Sequence, residues 1–419
     1  MITLIEALGY RCLRYIRQPL GPFHVLVGPN ASGKTTFLEV IAFLGRLVSE
    51  GIDAAVAERT QNFYDLVWHR EGKQFELAVE AAIPEALRAL LRRAEFDTVR
   101  YEVAIGIDTE TQELSLHDET VILIAGGRRT NLELFGEPSD RSWVPRTILT
   151  SRGGMGPGVS QTVIHKVKGG NDNFYSETGK GWVPAFKLGP RRSALGNMPA
   201  DESKFPVSTW FRDLLSAGVQ QLVLNSLLIR KASPPGQGQG LRPDGSNLPW
   251  VVAELRQRSP ERFRDWIAHL RTAFSDLEDV KTVERPEDRH RYLVLQYGES
   301  LEIPSWMASD GTLRMLALTL LAYLQEFKGI YLIEEPENGI HPRAIETMTQ
   351  SLSSVYDAQV LLATHSPVIL STVEAKQVLC FAKDPEGATI ITKGSEHPAL
   401  QSWKHETTLG TLFAAGVLG

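Results

Sequence analysis

Between residues 23 and 36 the chain reads FHVLVGPNASGKTT, and this stretch restricts the fold more than any other. Its first five residues are apolar enough for a buried strand. Gly28, Pro29, Asn30, Ala31, Ser32, Gly33, Lys34 and Thr35 then fit the pattern G-x-x-x-x-G-K-[ST]. Residues 35–48 follow as a helix, with Phe37, Ile41 and Leu44 recurring at three- and four-residue steps. A glycine-rich turn between a strand and a helix lets successive backbone N–H groups face an anion, and the helix N-terminus adds a positive field. Lys34 supplies a point charge near the β- and γ-phosphates, and the Thr35 hydroxyl can hold Mg2+. The stretch predicts a phosphate site.

Three further motifs lie in the last third. IYLIEEPENGIHP carries four apolar or aromatic residues and then Glu334 and Glu335. Acids emerging at the C-terminal end of a buried strand stand where open α/β sheets bind ligands. One carboxylate there can orient a metal, and the next can activate water. The apolar strand VLLA closes on Thr364, His365, Ser366 and Pro367, placing an imidazole at the end of another strand. Ser309, Asp310, Gly311, Thr312 and Leu313 form a small polar loop before an apolar helical stretch, a natural anion-binding cap.

The rest of the chain sets the frame. Residues 2–8 read as a strand, and residues 63–124 as mostly strands around a short amphipathic helix at PEALRALLRRA. Residues 151–181 are glycine-rich and broken. From 207 to 273 helical signals dominate, interrupted at SPPGQGQGLRPDGSN, where glycine and proline exclude regular structure. The order strand, helix, strand after residue 312 predicts a parallel sheet with crossover helices. No heptad run is long enough for a coiled-coil arm.

The formal net charge of −6 argues against a coat for nucleic acid, without excluding a local basic groove. Two cysteines, Cys12 and Cys380, make neither a disulfide framework nor a zinc cluster and point to a reducing compartment. The longest apolar run is ten residues, about half of the ~20 that span a bilayer, and no signal peptide is legible. A cytoplasmic protein without a membrane partner is expected. Arg88, Arg92 and Arg93 read as a basic cluster on one helix. With Arg128, Arg129, Arg191, Arg192, Arg289 and Arg291 they are read as a solvated face, because acids are interleaved. Trp210, Trp250 and Trp266 are expected as core anchors rather than a stacking platform for bases.

The four motifs, in this order, resemble the ABC/SMC ATPase superfamily, closest to the OLD (overcoming lysogenization defect)-like class and its relative RecF. The resemblance implies an α/β fold: an ABC-type ATPase head, a P-loop NTPase with a mixed or parallel core sheet, an antiparallel β subdomain and an inserted helical lobe. Residues 1–200 and 291–419 would be the two halves of the head, and 201–290 the lobe. It implies ATP and Mg2+ as ligands and a homodimer that sandwiches ATP. Gly28, Asn30, Ala31, Ser32, Gly33, Lys34, Thr35 and Thr36 would cradle the phosphates, with Arg11 contributing from the first strands. Thr35 and Glu334 would serve Mg2+, although Glu334 stands where an aspartate is usual. Glu335 would be the general base and His365 the switch. Ser309 and Gly311 would cap the γ-phosphate of the other subunit, with Asn338 and His341 along the seam. Gln61, Gln161 and residues 188–192 are all candidates for the Q-loop.

Only 54 residues follow His365 in this sequence, fewer than the metal-dependent nuclease domain that OLD nucleases carry there. The expectation is therefore an ATPase component of prokaryotic anti-phage defence that gates a separate effector protein. A RecF-like clamp on DNA is the alternative, and a transporter subunit is disfavoured by the SDGT signature.

Overall fold

The computed structural model describes residues 1–126, 144–150, 159–167, 169–179, 183, 185–237, 240–298, 300–325, 327–398 and 409–414. Arg128 and Arg129 lie outside the described residues, as do 151–158, 168, 180 and 181 of the glycine-rich 151–181 stretch. The strands are β1 (Ile2–Tyr10), β2 (Leu13–Pro19), β3 (Phe23–Val27), β4 (Gln74–Ala82), β5 (Phe96–Ile107), β6 (Leu114–Ala125), β7 (Ser160–Val167) and β8 (Asp172–Phe174). They continue as β9 (Val219–Leu222), β10 (Leu277–Glu284), β11 (Arg291–Tyr297), β12 (Leu301–Pro304), β13 (Ile330–Glu334), β14 (Gln359–Ala363), β15 (Val378–Lys383) and β16 (Thr389–Lys393). The longer helices are α1 (Lys34–Glu50), α2 (Pro206–Ser216), α3 (Leu248–Arg258), α4 (Pro260–Ala273), α5 (Asp310–Leu320) and α6 (Pro342–Ser353).

The chain divides into two units. The first comprises 1–21, 30–219 and 381–391. Its frame is a seven-stranded sheet in the order β2-β1-β4-β5-β6-β7-β8. Every neighbouring pair is antiparallel. Helix α1 buries Phe37, Val40, Ile41, Phe43 and Leu44, the stripe its periodicity predicts. Phe43 meets Tyr10 and Phe75 of the sheet with ring centroids 6.0 and 5.7 Å away, within range of tilted and edge-on packing. Gly45 lets α1 approach α2 closely, because a Cβ there would stand 2.4 Å from the Leu215 carbonyl oxygen. Arg100, buried on β5, reaches Glu6, Glu80 and Glu102 at 2.7, 2.9 and 2.5 Å and so ties three strands together. Removing the guanidinium would strand buried carboxylates, a costly change.

The second unit comprises 22–29, 220–380 and 392–419 and carries most of the six-stranded sheet β16-β15-β3-β14-β13-β9. Strands β15, β3, β14 and β13 run parallel. The segment β13–α6–β14 is the crossover that parallel pairing demands. Strands β10, β11 and β12 form a separate antiparallel sheet. Helices α3 to α6 pack their apolar faces into one core with β3, β13 and β14. Trp266 anchors it, donating its indole N–H to Thr319 Oγ1 at 2.9 Å. Trp210 and Trp250 are only half-buried, so the core role expected of all three tryptophans belongs to Trp266.

This is the α/β head that the sequence predicts, with local differences. PEALRALLRRA forms only one helical turn, Glu85–Arg88; the Leu90 and Leu91 N–H groups then go to carbonyls three residues back, and the Arg92 N–H goes to the Glu177 carbonyl. Arg88, Arg92 and Arg93 therefore do not share a helix. The stretch expected to be helical from 207 to 273 also contains β9, an edge strand whose glutamines give no apolar run. Among the described residues, no helix is long and apolar enough to cross a membrane.

Candidate nucleotide site

Strands β3, β14 and β13 end level with one another. Leu26 is opposite Ala363, and Ala363 is opposite Glu334. The pairing runs on past the strand ends, with Thr364 N donating to Leu26 O at 3.1 Å and Glu335 N to Ala363 O at 2.8 Å. From this one edge issue the loop after Val27, the turn at Thr364 and His365, and the acids Glu334 and Glu335. Three motifs far apart in sequence therefore start from the same edge, where open α/β sheets present ligands.

The loop has the conformation that its glycines permit. Gly28, Ala31 and Gly33 have φ of 148°, 61° and 102°. Helix α1 begins at Lys34, and Phe37 N closes its first turn on the Gly33 carbonyl at 2.8 Å. A Cβ on Gly33 would lie 2.2 Å from Thr389 Oγ1 and 3.1 Å from Cys12 Sγ. Thr389 Oγ1 itself donates to the Ser32 carbonyl at 2.9 Å, so the back of the loop is fixed. Ser32 and Lys34 are buried, and Ser32 Oγ has no hydrogen-bond partner among the described residues. An orphaned hydroxyl on an anion-binding turn fits a phosphate-bearing ligand. Asn30 and Ala31 are exposed on the loop, while Thr35 and Thr36 sit in the first turn of α1. Arg11, between β1 and β2, has φ 49° and pairs with Glu39 of α1 at 2.5 Å.

At the acids, Gln221 Nε2 of β9 donates to Glu334 Oε1 at 3.4 Å. Gln221 was not among the sequence candidates for this contact. Gln161 instead donates to the Ser176 carbonyl at 3.2 Å, and Arg191 pairs with Asp53 and Glu113. The signal for Gln221 was weak: a glutamine pair in a four-residue strand.

Glu335 has φ 46°, a left-handed conformation that costs a non-glycine residue about 1–3 kcal/mol. Its backbone N–H is held by Ala363, and its Oε2 accepts from Asn338 Nδ2 at 2.6 Å. A carboxylate fixed in that way at a strand end is pre-positioned rather than free to search. Glu337 extends the link. Its Oε1 accepts from Thr364 Oγ1 at 2.6 Å and from the His365 backbone N–H at 3.1 Å. The turn after the acids is thereby tied to the turn bearing His365, whose ring has no hydrogen-bond partner among the described residues. Sequence reading gave Glu337 no role, since only the fold brings residues 337 and 364 together.

Ser309 caps α5 by accepting from Thr312 N at 3.1 Å. Gly311 is required locally: a Cβ would stand 2.3 Å from the Gly339 carbonyl oxygen. His341 caps α6, its Nδ1 accepting from Arg343 N. Among the described residues no three His, Cys, Asp or Glu side chains gather as a metal cage.

Residues 23–112 and 183–371 match the family model described as "AAA domain, putative AbiEii toxin, Type IV TA system". The chain is similar to the OLD nuclease of Thermus scotoductus, at 21% identity over 99% of this chain and 68% of that protein. It is also similar to protein ea59 of Escherichia phage lambda, at 26% identity over 36% of this chain and 29% of that one. A third relative is the retron Vc95 probable ATPase of Vibrio cholerae, at 26% identity over 32% of this chain and 31% of that protein. The chain thus spans less than a third of the last two. Among solved structures, the SmcHead bound to the C-winged helix domain of ScpA has a TM-score of 0.53 at 13% identity, over 93% of this chain and 97% of that one. The Smc head of Pyrococcus furiosus bound to the C-terminal domain of ScpA has a TM-score of 0.52 at 11% identity, over 93% of this chain and 95% of that one. These two show the fold alone, that of an Smc head domain.

Proposed function

The chain belongs to the AAA-domain family described as putative AbiEii toxin, Type IV TA system, and on that premise we propose an ATP-driven switch whose site closes between two copies. It is an ATPase of the OLD-like ABC/SMC kind. The observation that carries the proposal is the single sheet edge from which the phosphate loop, the acids and His365 all issue.

In this reading the loop from Gly28 to Thr36 cradles the phosphates, with Lys34 as the point charge and Arg11 beside it. Thr35 and Glu334 are the residues that the resemblance assigns to Mg2+, whose chemistry would be charge neutralisation on the phosphates. Glu335 receives the proton of the attacking water. The new bond forms to the γ-phosphorus while its bond to the bridging oxygen breaks, leaving ADP and phosphate. His365 senses the γ-phosphate. Ser309 and Gly311 of the second copy cover it from the other side, with Asn338 at the seam. Hydrolysis reopens the pair.

Two residues act through others. Gln221 steadies Glu334, so Gln221→Ala should raise the Mg2+ concentration for half-maximal turnover about tenfold, the scale for losing a partner of a metal ligand. A magnesium titration of phosphate release measures it. Glu337 holds the His365 turn against the acids. Glu337→Ala should lower kcat about tenfold (~1.4 kcal/mol) at nearly unchanged ATP affinity. Glu337→Gln keeps an acceptor for Thr364 and should retain most of the rate.

The cellular role we propose is defence: ATP closure gates a separate effector protein. With the neighbouring genes intact, Lys34→Ala and Glu335→Gln should each abolish phage restriction in a plaque assay. Full protection by both variants would remove the ATP cycle from that role.

A further inference from the structure

The single-turn helix Ser226–Ile229, the turn between β10 and β11, and the 3-10 turn Ser305–Met307 surround a cavity of about 680 Å3. Leu227 and Trp306 line it together with Arg230, Lys231, Arg285 and His290. No acidic side chain lines it among the described residues, although the whole chain carries a formal charge of −6. Leu227 is 70% exposed, Trp306 53% and the adjoining Met307 70%, a concentration of large apolar side chains on one small surface. The Trp306 ring leans on Tyr292 at 5.0 Å between centroids. Tryptophan, arginine and methionine around a concavity are the side chains that anchor protein interfaces.

Three of the four basic side chains are already tied. Arg230 pairs with Asp310 at 2.6 Å, and Arg285 and His290 both meet Asp288, at 2.5 and 3.1 Å. Lys231 is exposed and has no side-chain partner among the described residues. A nucleic-acid strand is held chiefly by a run of available cations along its phosphates. One free lysine, one indole and an aliphatic wall do not supply that. They suit a carboxylate-rich segment with a single large apolar side chain.

We propose that this cavity receives an acidic protein segment bearing one leucine or aromatic anchor, contributed by the effector partner. The identity of the segment's owner rests on the function proposed above; the recognition chemistry does not. The anchor enters between Leu227 and Trp306, and one flanking carboxylate meets Lys231 while another competes for Arg230. Arg230 also donates to the Trp306 carbonyl at 3.3 Å, so it joins the cavity to Asp310 in the first turn of α5. A partner carboxylate competes with Asp310 for Arg230 and loosens the helix start that Ser309 caps. Partner binding and ATP-dependent closure are then linked, and by thermodynamic necessity the link is reciprocal.

The test selects phage-displayed random dodecapeptides on the intact, nucleotide-free protein, with Trp306→Ala and Lys231→Glu proteins as counter-targets. The result expected is an acid-rich consensus around one leucine or aromatic residue. The synthetic consensus peptide should bind about tenfold more weakly to each variant, or 1.4 kcal/mol by the affinity relation. It should also change wild-type ATP turnover but not that of Trp306→Ala. No enrichment, a consensus without acids, or binding indifferent to both substitutions would overturn the proposal. Displacement of the peptide by a single-stranded oligothymidylate would overturn it in favour of nucleic acid. Because selection is done without nucleotide, a dead ATPase leaves a positive result standing, and a failed selection leaves the ATPase reading untouched. The surface substitution Lys231→Glu keeps the test valid if Trp306→Ala misfolds.

Discussion

Glu335→Gln should cut ATP turnover by about 10²- to 10⁴-fold, the range for losing a positioned general base, while ATP remains bound. The argument is geometric. Residue 335 stands in a left-handed conformation, with its N–H held by Ala363 and its side chain held by Asn338. Glutamine has nearly the same shape and can keep an oxygen facing Asn338 Nδ2, so the backbone and the seam persist. What it lacks is the basicity to take a proton from water. Glu335→Asp is the informative control: it keeps a carboxylate but withdraws it by one methylene, so it should also be slow, since a base must be within hydrogen-bond reach. Phosphate release measured beside filter-bound ATP separates binding from chemistry. Turnover within threefold of wild type in Glu335→Gln would take Glu335 out of the role of base.

Gly33→Ala should weaken ATP binding by about 30-fold or more. Its φ of 102° is one that L side chains rarely adopt, and forcing such a residue costs about 1–3 kcal/mol. The new Cβ would also stand 2.2 Å from Thr389 Oγ1. That hydroxyl cannot simply turn away, because it holds the Ser32 carbonyl. The loop itself must shift, and its N–H groups leave the positions that face the phosphates; a loss of ~2 kcal/mol gives the stated factor. Thr389→Ala alone removes the tether without placing a Cβ at residue 33 or straining its φ, and should cost less. Isothermal titration with a non-hydrolysed ATP analogue compares the three proteins, with circular dichroism as the check on folding. Wild-type affinity in Gly33→Ala would mean that the loop does not bind phosphate in the conformation described.

How much of this was readable in the sequence depends on range. Residues 23–50 were legible because strand, turn and helix follow one another and each local preference agrees with the next. The strands ending at Glu334 and before Thr364 were legible for the same reason: short apolar runs closed by polar residues. Their common edge follows from parallel pairing once the order of motifs is known. The contacts that fix the site were not legible. Thr389 supports Ser32 from 357 residues away, and Glu337 meets Thr364 only after a helix has carried the chain across the sheet. Gln221 lies in an edge strand too short and too polar to show a strand pattern. Gly311 also has a local constraint that no sequence pattern shows, the Gly339 carbonyl of its own chain. PEALRALLRRA had helical periodicity, but after one turn its N–H groups go to carbonyls three residues back and, at Arg92, to Glu177.

The central claim is that ATP closes two copies on each other. Native mass spectrometry of the Glu335→Gln protein, sprayed with and without ATP and Mg2+, tests it most directly. The account predicts monomer, or a loose mixture, without nucleotide, and with it a dimer retaining two ATP; adding Ser309→Arg should return it to monomer. A Glu335→Gln protein that binds ATP and stays monomeric at every concentration would contradict the account.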